Sequence, residues 1–504
     1  MKIGVAGLAL ALGFASGVAG AQAVKPQAPA SASPTSRAMA VPPMAKVTGA
    51  PALSPEDQAA ILRDDALKSN AAYDWVAELT TRFGARSAGG PNEKAAAEWA
   101  VVKLKALGFD DAHIETFPLQ VWKRGPESIE ITGPFPQRLV GVSLGGSSAT
   151  PAGGIEAEAV LFDAWQQFLD YKGDLTGKIV VVLQPMTRAS DGEGYGRMSE
   201  PIRWAGPGAA QKRGAIGFVM RSLSTDDHRF PHAGASDWSD GKGIPAMAIT
   251  ATDAAQLSRI EAMQKKGEAG PVRLRMNTQP QFLGAGTSQN VIAEIKGSEH
   301  PEQVVVIGGH LDSWDLGTGA IDDGVGTAIA VGAAKSLIDH GLRPKRTIRL
   351  VLWGSEEVSQ PEGYGTGGDN YAKSHAGEAA NHVLAMEADF GADKVYRAQL
   401  PATNDATFAT KMAVLLNPIA VGISATPSAG GDSDTDQLHA EGVPCLLLDQ
   451  DGYDYFNTHH TPDDVLERIN RENLNQVIAA WAGTLWMVAG TDVTFKRPDV
   501  TPAK

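Results

Sequence analysis

Four β-branched residues, Val304-Val305-Val306-Ile307, run into Gly308-Gly309 and then present His310 and Asp312. Such a run lacks the two-residue alternation of a half-exposed strand, so it reads as a parallel strand covered on both faces. A little further on, Gly319-Ala320-Ile321-Asp322-Asp323-Gly324 sets two adjacent acids between glycines. In open α/β sheets ligands bind outside the carboxyl ends of the strands, so polar residues placed there are read first as a site. Packing does not account for paired acids at the end of an apolar strand. A cation does.

The rest of the chain is compatible with a globular fold around that strand. It has 504 residues, more than one ordinary core accommodates, with 43% hydrophobic and 20% charged residues. Lys+Arg 44 against Asp+Glu 58 leaves a net charge of −14, which argues against nucleic acid and anionic membrane faces as partners. Residues 1–23 have the form of a signal peptide: Lys2, an apolar stretch too short and glycine-rich to span a membrane, then Ala21-Gln22-Ala23. Export to a periplasm or the medium is expected, with no membrane attachment after cleavage. The single cysteine, Cys445, lies in an apolar run and forms no intrachain disulfide.

Residues 24–50, rich in Pro, Ala and Ser, read as a flexible linker. Residues 51–125 open with Ser54-Pro55-Glu56-Asp57, an N-cap followed by proline and first-turn acids. A helix from about 91 to 107 is expected to bury Ala95, Trp99, Val102 and Ala106 and to stop at Gly108. Over 126–278 short strands alternate with Gly- and Pro-rich loops, with one clear helix near 252–263, and the segment reads as an inserted, β-rich accessory domain. Its Asp226, Asp227, His228 and His232 lie in loops and are expected to be solvated. From 279 to 490 strands and helices alternate, which implies a mixed, mainly parallel sheet sandwiched by helices, an α/β fold; 491–504 is a tail.

Four strands of this last part end in metal-type residues. Strand 303–308 leads to His310 and Asp312, strand 347–353 to Glu356 and Glu357, and strand 383–386 to Glu387 and Asp389. The run 444–448 is followed by His459 and His460. Converging ends would gather two His, two Asp and a Glu; mixed nitrogen and carboxylate donors favour zinc over calcium or magnesium. Five ligands serve two metals if one carboxylate bridges, and one further carboxylate must stay free to carry a proton to the leaving amine.

These motifs together, Gly-Gly-His310-Leu-Asp312, Asp322-Asp323-Gly, Ser-Glu356-Glu357, Met-Glu387-Ala-Asp389 and His459-His460-Thr-Pro-Asp-Asp, resemble the co-catalytic zinc exopeptidases. The resemblance covers about residues 55–490, and 126–278 resembles the protease-associated domain that such enzymes carry as an insertion. It implies the zinc exopeptidase fold, two Zn²⁺ per chain and a short peptide or dipeptide substrate; a homodimer is left open. It implies Asp322 as the bridging ligand, His310 and Asp389 completing one zinc, and Glu357 and His460 the other. Glu356 would be general base and then acid, Asp312 would orient His310, and Asp323 would support the turn at Asp322. The Thr435-Asp436 stretch resembles a substrate-contacting loop. The resemblance favours aminopeptidase or dipeptidase action. Carboxypeptidase action, a one-zinc glutaminyl-cyclase-like transferase and a catalytically silent binding module are the alternatives.

Overall fold

The computed structural model describes residues 53–499. The expected signal peptide, the linker up to residue 50 and the last residues of the tail lie outside them. Among the described residues no helix is long and apolar enough to cross a membrane.

The run that opened the sequence analysis sits inside the strand His300–His310, flanked on both sides by parallel partners, Arg346–Trp353 and His382–Glu387. Beyond Arg346–Trp353 the sheet continues with Gln281–Ile295 and then Asp111–Lys123, each antiparallel to its neighbour. The sheet is therefore mixed, and its parallel half carries the acid-bearing strand ends. Both faces are covered, as the unbroken apolar runs require. Val305, Ile307, Leu350 and Leu352 enter one apolar cluster together with the helices Val325–Asp339 and Arg471–Ala489. Val304, Val306, Val351 and Trp353, which point the opposite way, pack with Tyr371, Leu438 and Cys445.

Local signals place the outer helices. Ser54 caps the helix Pro55–Ala66 by accepting from Asp57 N (3.1 Å), and Pro91–Leu107 ends at Gly108 with φ +98°. The buried face of this second helix is not the expected one. Glu93, Ala96, Ala97, Ala100 and Leu104 face inward, while Val102 is 70% exposed. Small alanines let the helix approach closely, and that outweighs the bulk of Trp99.

All eight strands of a second sheet lie between Glu127 and Thr278. The segment also holds short helices that apolar periodicity does not show, among them Glu193–Met198 and the π-helical turn Ser199–Trp204. The apolar run 443–448 does not form one strand. Cys445 makes an isolated parallel bridge to Ala385, whereas Leu447–Gln450 pairs with Val395–Gln399 in a separate three-stranded sheet.

Candidate metal centre

Parallel register sets His310 beside Trp353 and Gly308 beside Glu387, so the chain leaves three adjacent strand ends on one side of the sheet. Past Trp353 it turns at Ser355 (φ +64°) and delivers Glu356 and Glu357; past Glu387 it delivers Asp389. The turn before helix Val325–Asp339 brings in Asp322, and the loop after Tyr455–Asn457 brings in His459 and His460.

These side chains meet. His310 Nε2 lies 3.2 Å from Asp322 Oδ1 and 3.4 Å from Asp389 Oδ1. His460 Nε2 lies 2.9 Å from Asp322 Oδ2 and 3.0 Å from Glu357 Oε2. Asp322 thus turns one oxygen to each group. His459 also comes close, its Nε2 3.5 Å from Asp322 Oδ2, and it stacks on His460 with centroids 3.5 Å apart. Two sets, His310/Asp322/Asp389 and Asp322/His459/His460, hold donor atoms within 4.8 Å of one another. Glu357 is outside the second set but touches its nearer histidine, so His460 is the imidazole that faces two carboxylates.

The arrangement fits cations better than it fits hydrogen bonds. His310 Nδ1 is 3.0 Å from the Asp312 carbonyl and His460 Nδ1 is 3.2 Å from the Ala233 carbonyl. A carbonyl only accepts, so each Nδ1–H donates to it, and Nε2 is the ring nitrogen turned toward the carboxylate oxygens. Asp322 Oδ2 and Glu357 Oε1 are buried without a hydrogen-bond partner, although His460 is so close. Buried carboxylate oxygens left without a donor are placed to meet a cation. Two imidazoles and three carboxylates form the nitrogen and oxygen donor set of a borderline divalent ion. With a proton there instead, Asp389, Asp312 and Asp322 outweigh the burial of His310 and hold its pKa well above the usual value. Burial works against the Asp322 carboxylate too, but His310 and His460 bring its pKa well below the ordinary range.

The neighbours of this cluster are placed as follows. The Asp312 carboxylate accepts from the backbone N of Glu356 (3.0 Å) and Glu357 (3.2 Å), so it fixes the turn that presents both acids as well as standing beside His310. Asp323 Oδ2 accepts from His310 N (3.0 Å) and Oδ1 from Gly326 N (2.9 Å), and the Asp322–Asp323 peptide bond is cis. Glu387 is turned away and accepts from Asp434 N, Thr435 N and Thr435 Oγ1, which separates it from Asp389. Thr435 is therefore a buried partner of Glu387, and Asp436 starts the short helix Asp436–Ala440. Neither lines the cavity, to which the loop presents Asp432 and Ser433.

Other contributors carry no local pattern. Asp464 Oδ1 accepts from Ile321 N (2.6 Å) and so holds the Asp322 turn; burial raises its carboxyl to about 7. Arg86, fully buried, donates to the carbonyls of Leu311, Thr318 and Gly319. His232 and Asp226 are not solvated. Their side chains are 2% and 3% exposed and lie 2.8 Å apart, and His232 Nδ1 is 2.7 Å from the His459 carbonyl. They pair with each other and are tied to a carbonyl 227 residues away, so local composition misreads them.

The cluster opens into a cavity of about 540 Å³ bordered by Glu356, Glu357, Asp389, His459 and His460 and, from the 126–278 segment, by Tyr195, Arg203 and Trp204. Glu356 is part-buried here. Burial raises its carboxyl to about 7, opposed by His310 and reinforced by Asp389, Asp312 and Asp322.

Residues 290–485 match the model of peptidase family M28. Carboxypeptidase Q of Bos taurus is 34% identical over 434 residues, which is 85% of this chain and 87% of that protein. A peptidase M28 precursor from Shewanella amazonensis SB2B superposes with a TM-score of 0.82 at 40% identity, covering 89% of this chain and 99% of that one. A zinc aminopeptidase from Bacillus subtilis shares the fold at 18% identity, with a TM-score of 0.58 over 86% of this chain and 98% of the other. With a strand-end cluster of this composition and relatives matched over most of their length, the chain belongs to peptidase family M28.

Proposed function

We propose that this protein is an exported dizinc exopeptidase, an aminopeptidase or dipeptidase, that hydrolyses short peptides. The carrying observation is Asp322, which turns one carboxylate oxygen to His310 and Asp389 and the other to His460 and Glu357. On this reading Asp322 would be shared between two ions, His310 and Asp389 would hold one, and Glu357 and His460 would hold the other. The mixed donor set suits zinc, and a Bacillus subtilis protein of the same fold is a zinc aminopeptidase. Bound zinc supplies Lewis-acid polarisation of the peptide carbonyl and makes water acidic enough to attack at neutral pH.

The protein supplies the rest. Glu356 borders the cavity while the adjacent Glu357 turns to His460, so Glu356 is free to take a proton from the attacking water and give it to the leaving amine. Asp312 holds both glutamates through their backbone N–H groups, which keeps the proton carrier in register with the donor cluster. Asp323 keeps the Asp322 turn in place. We take 126–278 as an inserted domain of the protease-associated type, and export rests on the form of residues 1–23.

Hydrolysis of a panel of dipeptides and end-blocked peptides, with metal content measured alongside, tests this. Glu356→Ala is expected to retain the wild-type zinc content and lose turnover by about 100-fold or more, the effect of removing a positioned proton carrier. Undiminished turnover in that variant would remove Glu356 from its role.

A further inference from the structure

The catalytic cavity is lined by six carboxylates, those of Asp322, Glu356, Glu357, Asp369, Asp389 and Asp432, and among the described residues by one basic side chain other than histidine, Arg203. Arginine in so acidic a setting ordinarily pairs with a carboxylate. Arg203 does not: no carboxylate oxygen of the described residues lies within 4.0 Å of its guanidinium. It is held instead by neutral partners. Its Nε donates to the Ala235 carbonyl (3.0 Å) and its Nη1 to the Tyr195 hydroxyl. Tyr195 is itself fixed, stacked on Phe456 at 4.8 Å and edge-on to His459 at 5.0 Å. The guanidinium is thus oriented by two contacts, and Nη2 has no assigned partner. It borders the same cavity as His460, one imidazole and one phenol ring away from it.

We propose that Arg203 is the anchor for the free α-carboxylate of the substrate, so that this site selects peptides whose C-terminus lies one residue beyond the scissile bond; combined with the aminopeptidase or dipeptidase reading above, such a substrate is a dipeptide. The inference rests on the peptidase reading above and adds a residue that sets specificity. A cation held in place without a counter-ion, at the edge of a metal-binding cavity, is a site for an anionic group brought by the ligand. An extended residue spans only about 3.3–3.6 Å, so a dipeptide places its carboxylate close to the carbonyl under attack. Every dipeptide carries that carboxylate whatever its side chains. The acids that line the same cavity, Asp369 and Asp432 among them, suit the free amine at the other end. The lining therefore offers a zwitterion both charges: acids from the 279–490 part, the cation from the 126–278 segment.

The test compares L-Ala-L-Ala, its C-terminal amide, and L-Ala-L-Glu amide, whose only carboxylate is on a side chain, using zinc-loaded wild type, Arg203→Met and Arg203→Lys. A charge-assisted contact of this kind corresponds to about 10- to 100-fold in kcat/KM. Wild type is expected to prefer the free acid over its amide by that factor, mainly through KM. Arg203→Met is expected to bring the ratio towards one, and Arg203→Lys to restore part of it. Parallel loss on all three substrates with the ratio preserved would make Arg203 a structural residue and overturn the proposal. Selective loss on the Glu amide would overturn it in favour of side-chain recognition. Calorimetric binding of L-Ala-L-Ala and its amide to zinc-loaded Glu356→Ala protein separates the two readings. Binding that prefers the acid without any wild-type hydrolysis sinks the peptidase reading and keeps the anchor. Hydrolysis of acid and amide at equal kcat/KM sinks the anchor alone.

Discussion

Replacing His232 by phenylalanine tests whether the 126–278 segment helps to build the metal centre. His232 makes two side-chain hydrogen bonds in a dry setting, 2.7 Å to the His459 carbonyl and 2.8 Å to Asp226 Oδ2. Phenylalanine fills the same space but leaves a buried carbonyl and a buried carboxylate oxygen, Asp226 Oδ2, unpartnered, at about 1–3 kcal/mol for each. The expected loss is about 2–6 kcal/mol in unfolding free energy of the metal-free protein. The second consequence concerns zinc. Two hydrogen bonds to backbone carbonyls tie the histidine loop to residues 232–233: His232 Nδ1 to the His459 carbonyl, and Ala233 N to the His460 carbonyl at 2.9 Å. The Ala233 carbonyl also orients His460 through Nδ1. Loosening an outer partner of this kind typically weakens metal affinity about 10- to 100-fold. Competition against a chromogenic zinc chelator measures it, with circular dichroism to establish that the variant is folded. His232→Asn, whose amide N–H can take the place of Nδ1–H, is expected to recover part of the affinity. A folded His232→Phe protein that binds zinc as tightly as wild type would refute the link.

Two further predictions concern stability. His382 is fully buried between the Tyr371 hydroxyl (2.9 Å) and the Glu378 carbonyl (3.0 Å), and burial holds its pKa at about 4 against an ordinary 6.5. The unfolded chain therefore binds a proton that the native one refuses. Stability from this group is complete above about pH 6.5 and falls by about 3 kcal/mol as the pH drops toward 4; His382→Gln should flatten that part of a urea-midpoint profile, and an unchanged slope would refute it. At Gly308 an added Cβ would collide with the Val351 carbonyl and the Trp353 ring, whereas at Gly377 it would meet nothing within 4 Å. Gly308→Ala should therefore cost at least about 1–3 kcal/mol of unfolding free energy, as overpacking typically does, and lower the denaturation midpoint accordingly; Gly377→Ala should not, and equal midpoints would show that the strand yields.

The residues legible in the sequence share one property: each stands just past an apolar strand. His310, Glu356, Glu357 and Asp389 could be read from the end of β-branched or apolar runs because parallel strands place such ends together whatever the rest of the chain does. Asp322 was legible for a related reason, as an acid pair wedged between glycines ahead of a helix. The residues that escaped notice are buried by partners far along the chain. Arg86 reaches Leu311 across 225 residues, His232 reaches His459 across 227, and Ile321 reaches Asp464 across 143. No apolar strand next to Asp464 or His232 marks them as buried, and polar loop composition points the other way. The run 443–448 failed differently. An apolar stretch says only that it is covered, and here one part bridges to Ala385 while the next joins another sheet.

The same distinction explains why the 126–278 segment looked chemically empty. Its strands Ile179–Val182 and Ala246–Ile249 end without an acid or histidine to mark a site, and the acid just past Ile155–Phe162, Asp163, stands alone, so a search of strand ends passes over it. What it brings to the cavity comes from elsewhere: Tyr195 from the short helix Glu193–Met198, Arg203 from the π-helical turn that follows, and the Ala233 carbonyl from a loop. None of these is a donor that a motif search would collect, and one is not a side chain at all. Yet His460 takes its orientation from Ala233, and the cavity takes its basic wall from Arg203. Strand ends therefore gather the groups proposed to hold cations and move protons, while the 126–278 segment fixes how one of those groups points and adds the basic side chain of the cavity lining.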